Sequence, residues 1–499
     1  MKEKIKNHIK KHKILYSALL ILFCFSGLVF YNNQIGISDE MFTFANVYKL
    51  LNGVQLYSQN NVIDTPLFFY LAKIFLNIFG ANFLVYKIFA VIIFEIIFLI
   101  ILNILRKLKV STVRALIYIV LIILPFIKHL YGEGANYNTL SILFWLLGMN
   151  LIIKKDGLKI NVVQQGVISA LIFATKQNIG IYYLMGLSLF IIYKYKKDLR
   201  KIIKKLITIY LIFASITAIW VVVLAMQGQF YDFINYCFLG IGEFATNNIS
   251  AIWEYMVFYL IPVITIIVLV VAHKKYKISM ENKFVKTTMF FLCFMITSLL
   301  IGYPIFNPYH VQLATLVSMI YAVYALDRLI ISKMEELFNR KIVKAILIAY
   351  FILVLMLNFY YIFKFILPIT NDEYQTTFDN PYFGMIATEE ASNKINKVVS
   401  FIQAKQANNQ DVIIFATEAN IYRIMLKQNY QDFDLPFLGN WGYNGEERVL
   451  NKIKNLKDTF ILINNEDVIG QESTKIKEYI KNNYNKTGEI EDLEIYYIE

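Results

Sequence analysis

The chain has 499 residues, of which 58% are hydrophobic and 17% charged, and it carries a net charge of +13. A water-soluble protein of this length has nowhere to bury so much apolar surface, so the composition excludes a soluble enzyme and points to a polytopic membrane protein. The positive excess does not signal nucleic acid, because it sits in short connections between apolar runs, where the positive-inside rule accounts for it.

The first apolar run covers about residues 14–31 and follows Lys2, Lys4, Lys6, Lys10, Lys11 and Lys13. It is long enough to cross a bilayer core, and the basic block assigns its N-terminal side to the cytoplasm. No small-residue cleavage site follows it, so it reads as a retained anchor. Residues 32–82 then form a first outer loop. Within it, Met41, Phe44, Ala45, Tyr48 and Leu51 share one helical face, and Pro66–Phe79 is apolar but too short to cross. Both segments are expected as helices lying along the membrane surface.

Further spans are expected at about 83–105, 115–130, 138–153, 161–175, 179–193, 206–226, 253–272, 286–303, 309–327 and 342–366. Lys and Arg gather in alternate connections, most densely at 194–205, whereas 131–137, 227–252 and 302–308 contain neither. This sorting gives roughly eleven spans, a cytoplasmic N-terminus and an outer location for the chain beyond about residue 367.

From there the composition becomes that of a soluble domain. Asp411–Ala416 and Thr459–Asn464 read as buried strands, and 419–428, 445–455 and 474–484 as helices. Residues 486–491 and 493–498 read as two closing strands. The expected fold class is a polytopic α-helical membrane protein, with a membrane domain over 1–366 and a small extracytoplasmic α/β domain over 367–499. Cys24, Cys237 and Cys293 are too few and too scattered for a disulfide framework or a metal site, and read as small buried hydrophobes.

The residues with the clearest chemical promise are Asp39 and Glu40, just beyond the first span. One reading is structural: Ser38 is a good N-cap, and acids in a first turn complement the helix dipole. The other is catalytic: a carboxylate tethered at the membrane surface can serve as a base.

The stretch Ser38-Asp39-Glu40, then Asn52-Gly53-Val54-Gln55-Leu56-Tyr57, then Asp64-Thr65-Pro66-Leu67-Phe68-Phe69-Tyr70 resembles the first outer loop of the GT-C membrane glycosyltransferases. It is most similar to the group holding the protein O-mannosyltransferases and the aminoarabinose transferase of lipid A. Thr65 stands where many relatives have Pro, and Phe69 where many have Tyr. The resemblance implies a GT-C-like membrane domain in which Asp39 is the catalytic residue and Glu40 its neighbour. It further implies an inverting glycosyltransferase that passes a sugar from a polyprenyl-phosphate donor to an envelope glycan, lipid or protein on the outer face of the plasma membrane.

A lipid-phosphate leaving group needs cations or donors more than it needs an acid. Lys176, in Thr175-Lys176-Gln177-Asn178, and Tyr309-His310, at the start of a late span, are candidate phosphate contacts, as is Lys128 of Lys128-His129. Glu133, Tyr57 and Tyr137 are candidate substrate contacts. Each has a plainer reading, since Lys and His at span ends can simply snorkel to the interface. Glu95 lies towards mid-span and reads as paired within the bundle. Trp441 and Tyr443, in a Gly- and Asn-rich turn, could stack on a sugar or close the domain onto the membrane. Asp432-Phe433-Asp434 has the spacing of a metal-binding DxD, but on the wrong domain. No cofactor is called for, with a divalent cation left open. The rival class is a transporter or lipid-glycan flippase without transfer chemistry; it predicts paired charges or broken helices at mid-membrane.

Overall fold

A computed structural model describes residues 39–123, 133–247, 250–251, 259–260, 263, 265–267, 282–303, 305–328, 381–382, 389–429, 431–433, 436–464 and 472–499. In chain order the main helices are α1 (Asp39–Leu51), α2 (Leu67–Phe79), α3 (Phe83–Lys107), α4 (Thr112–Tyr118), α5 (Tyr137–Ile152) and α6 (Val162–Thr175). There follow α7 (Gln177–Tyr195), α8 (Leu199–Met226), α9 (Phe230–Ile234), α10 (Ile241–Asn247), α11 (Asn282–Ser298) and α12 (Pro308–Leu326). The C-terminal part alternates α13 (Glu389–Ala407), β1 (Asp411–Phe415), α14 (Ala419–Met425), α15 (Gly445–Lys454), β2 (Thr459–Asn464), α16 (Thr474–Asn483), β3 (Asn485–Ile490) and β4 (Leu493–Ile498).

Among the described residues, four helices are long and apolar enough to cross a membrane: Phe83–Lys107, Leu199–Met226, Lys283–Gly302 and Pro308–Leu326. α8 displays Leu211 and Ile219 on its surface, 62% and 66% exposed. Apolar exposure on that scale suits lipid rather than water. The spans expected at 138–153 and 161–175 are helices of 16 and 14 residues, shorter than the roughly 20 residues that a full crossing takes. Those expected at 14–31 and 342–366 lie outside the described residues, as do large parts of 115–130 and 253–272.

The chain divides into two compact units. In the first (1–30, 90–217 and 251–367), α5, α6, α7, α11 and α12 pack side by side. Trp145, Tyr183 and Phe294 meet there, with ring centroids 5.3–6.1 Å apart. Asn caps fix the helix starts: Asn136 on α5, Asn161 on α6 and Asn307, followed by Pro308, on α12. Each supplies an acceptor for orphan amides of the first turn.

The second unit (31–89, 218–250 and 368–499) holds α1, α2 and the C-terminal sheet. The strand order is β1-β2-β4-β3, with β1 and β2 parallel and the remaining pairs antiparallel. Val412–Phe415 on β1 and all of β2 are buried, as expected for strands covered on both faces. The expected strands and helices of this region are therefore all present.

Two expectations change. α1 is not a half-exposed surface helix, because ten of its thirteen residues are buried, including Asn46 and Lys49. The polar ones are matched inside the unit: Lys49 donates to Asn420 Oδ1 at 3.1 Å, and Asn60 to Asn46 Oδ1 at 2.8 Å. Trp441 is likewise not a surface aromatic. It is 1% exposed, and its indole donates to the Asp432 carbonyl at 2.7 Å. Tyr443 beside it is exposed. Asp432 is buried and ion-paired to Arg448 at 2.8 Å and to Lys452, with Asn61 donating to it at 2.9 Å. It is a structural hub rather than half of a DxD, and Asp434 lies outside the described residues.

Candidate active site

In the second unit, the candidate residues are Asp39 and Glu40, the first two residues of α1. Acids there complement the dipole of a helix that closes on Lys49 in its last turn. The two side chains differ in access: Asp39 is half-buried, whereas Glu40 is 2% exposed. The Thr43 hydroxyl donates to the Asp39 carbonyl at 2.5 Å. One turn further, the Phe44 ring stands 5.0 Å from Phe83 and 5.4 Å from Tyr86. Lys87, also 2% exposed, is within electrostatic reach of Glu40. The outcome is one accessible carboxylate at the edge of an aromatic pocket that encloses a second carboxylate and an ammonium.

In the first unit, α6 and α7 are joined by a single residue, Lys176, in extended backbone (φ −154°, ψ 117°). The corner is tight because Gly180 lies directly against the Phe173 backbone, where a Cβ would stand 2.5 Å from its Cα. Lys176 Nζ lies 4.3 Å from the centre of the Tyr137 ring, and His310 is within its electrostatic reach. The His310 ring is held by Asn307 Oδ1 at 2.9 Å from Nδ1. The neighbouring Tyr309 donates to Asn136 Oδ1 at 2.8 Å, and the Tyr309 and His310 rings are 5.1 Å apart. Lys176, Tyr137, Tyr309 and His310 thus gather in one cluster, and Glu133 is half-buried at the entry to α5. Lys128 lies outside the described residues.

One member of this cluster, Asn136, was missed in the sequence, and so was the buried amide of Asn138 beside it in the chain. Asn136 caps α5 in a reciprocal box with Thr139. Asn138 is 1% exposed, and neither end of its amide is hydrogen-bonded among the described residues. Buried amides seldom go unpaired, so Asn138 offers a donor and an acceptor to a polar ligand. The signal was legible as Asn136-x-x-Thr139 directly before an apolar run, a capping-box spacing. An ammonium, an imidazole and two phenols make a set of groups suited to a phosphate or a sugar hydroxyl.

Tyr57 is a correction. It is 0% exposed, with φ +68°, and its hydroxyl donates to the Asp64 carbonyl at 2.8 Å. Phe233 packs on its ring at 5.3 Å and Cys237 lies close by. Burial pushes the Tyr57 phenol and the Cys237 thiol well above their ordinary values, as desolvation does to any group that ionises to an anion. Tyr57 is therefore a scaffold residue of the loop and has no surface with which to touch a substrate. Glu95 is half-buried within α3. Among the described residues no three His, Cys, Asp or Glu side chains gather to hold a metal ion.

No family model matches the chain, and no curated protein matches it. Solved structures do. ArnT from Cupriavidus metallidurans bound to undecaprenyl phosphate aligns with a TM-score of 0.58 at 11% identity, over 97% of this chain and 98% of that one. The apo state of the same protein aligns with a TM-score of 0.57 at 12% identity, over 98% of both chains. At such identity the likeness is one of fold, and with the apolar helices it makes the chain a membrane protein built on the GT-C fold.

Proposed function

We propose that the chain is an inverting glycosyltransferase that moves a sugar from a polyprenyl-phosphate donor to a cell-envelope acceptor on the outer face of the membrane. The observation that carries this reading is the half-exposed Asp39 at the head of a buried helix, in a chain whose fold is shared with a protein that binds undecaprenyl phosphate. In the reaction, the acceptor oxygen or nitrogen attacks the anomeric carbon while its proton passes to the Asp39 carboxylate. The bond from the anomeric carbon to the phosphate oxygen breaks, and its electron pair leaves with the polyprenyl phosphate. Inversion follows from this single in-line displacement. The negative charge left on the phosphate calls for a cation or hydrogen-bond donors.

A lipid-glycan flippase would also contact lipid phosphate, but it would not need Asp39. Asp39→Asn therefore separates the two readings. Asn caps a helix as well as Asp, and loss of the charge at the dipole costs about 1 kcal/mol at most at an exposed site. Loss of a general base costs on the order of 10²–10⁴ in rate. In a deletion strain that accumulates an unglycosylated envelope polymer, the Asn variant should insert at normal levels, bind undecaprenyl phosphate, and fail to restore the modification. Restoration close to wild type would return Asp39 to the role of a cap.

A further inference from the structure

We propose that Lys87 is a positioning residue that pairs with the buried Glu40 and so keeps Asp39 as the ionised, accessible carboxylate of the site. Its significance rests on the reading of Asp39 as base, but the pair itself does not.

The packing places the two groups together. Phe44 of α1 touches both Phe83 and Tyr86 of α3. Glu40 precedes Phe44 by one helical turn, and Lys87 follows Phe83 by one turn, so the next layer of this contact is Glu40 against Lys87. Thr43 and Tyr86 are hydrogen-bonded across the same seam. Among the described residues, the groups that face the acidic pair include the Tyr86 phenol and the Lys87 ammonium of α3, and Lys87 Nζ also lies 5.0 Å from the Phe83 ring centre. Both Glu40 and Lys87 are 2% exposed. A lone charge at that depth would be heavily penalised, whereas a matched pair is tolerated.

The pair has a consequence for its neighbour. Glu40 is adjacent to Asp39, and an uncompensated carboxylate there would favour the protonated form of Asp39. Aromatic surroundings screen poorly, so that effect would be felt strongly. Lys87 cancels it. Lys87 need not touch substrate to act in this way.

The test reads the protonation of Asp39 directly, without any transfer assay. Carbodiimide modifies protonated carboxyls, so labelling of the full-length protein in lipid nanodiscs, followed across pH and mapped by mass spectrometry, gives a midpoint for Asp39. Lys87→Met should raise that midpoint by roughly one pH unit and make Glu40 reactive. Glu40→Gln should lower it, since Lys87 then faces Asp39 alone. The double variant should return close to wild type, in labelling and in thermal melting alike, because both members of the pair are gone. If Lys87→Met does not fold, Glu40→Gln and the double variant still decide the matter. An Asp39 midpoint that stays fixed in the single variants that fold would overturn the proposal. An active Asp39→Asn protein would remove the base reading while leaving the coupling of the pair measurable.

Discussion

Lys176 occupies a one-residue corner between two packed helices, so its ammonium is carried by rigid structure rather than by a loop. Its face-on contact with Tyr137 and the nearby His310 fix where it can point. Hydrogen bonds to charged groups are worth about 1.5–3 kcal/mol, so Lys176→Ala should weaken binding of undecaprenyl phosphate by roughly 10- to 100-fold. Lys176→Arg should recover part of the loss, because the charge remains while the geometry changes. A titration of the purified protein checks both, and unchanged affinity in the Ala variant would reduce Lys176 to an interface anchor. Tyr57 shows the opposite case: its place in a motif suggested a substrate contact, but its ring and hydroxyl are consumed by the loop that it braces.

At the scale of elements, the α6–α7 hairpin depends on Gly180. A methyl group there would meet the Phe173 Cα at 2.5 Å and the Phe173 nitrogen at 2.6 Å, and backbone cannot rotate away as a side chain can. Overpacking of this kind typically costs 1–3 kcal/mol, occasionally more. Gly180→Ala should therefore lower the melting temperature of the purified protein and weaken undecaprenyl phosphate binding through displacement of Lys176. Normal stability and normal binding together would show that the hairpin tolerates the separation. In the second unit, Asp432 plays the corresponding part for the C-terminal segment, because it draws Arg448, Lys452 and Asn61 onto one buried carboxylate. Gly439 meets α10 at close quarters: a Cβ there would stand 2.4 Å from the Phe244 Cα.

For the whole molecule, the charge sorting of the connections makes a prediction about sidedness. In a background without Cys24, Cys237 and Cys293, a cysteine at Asn32 should react with an impermeant thiol reagent from outside the cell, and one at Asp198 only after the membrane is opened. Labelling of both from the same side would overturn the outer active site and the reading of the C-terminal sheet as extracytoplasmic. The structure adds that this sheet shares a compact unit with α1, α2 and residues 218–250. Through Lys49 and Asn61, the first loop is hydrogen-bonded to Asn420 and Asp432.

The sequence by itself determined the membrane class, the positions of the long helices and the β-strand pattern of the C-terminal region, because periodicity, run length and loop charge are local quantities. It also singled out Asp39, Glu40, Lys176 and Tyr309-His310, whose residue types and places at helix ends are visible one-dimensionally. Only the tertiary structure decided that α1 is buried all round, that Trp441 and Tyr57 are core residues, and that Asn136 joins the cation cluster. The physical reason is common to these cases. Burial and partner choice depend on segments that are distant in sequence, as Asn136 and Tyr309 show, so no local pattern can report whether a polar side chain will face a ligand, a lipid or another helix.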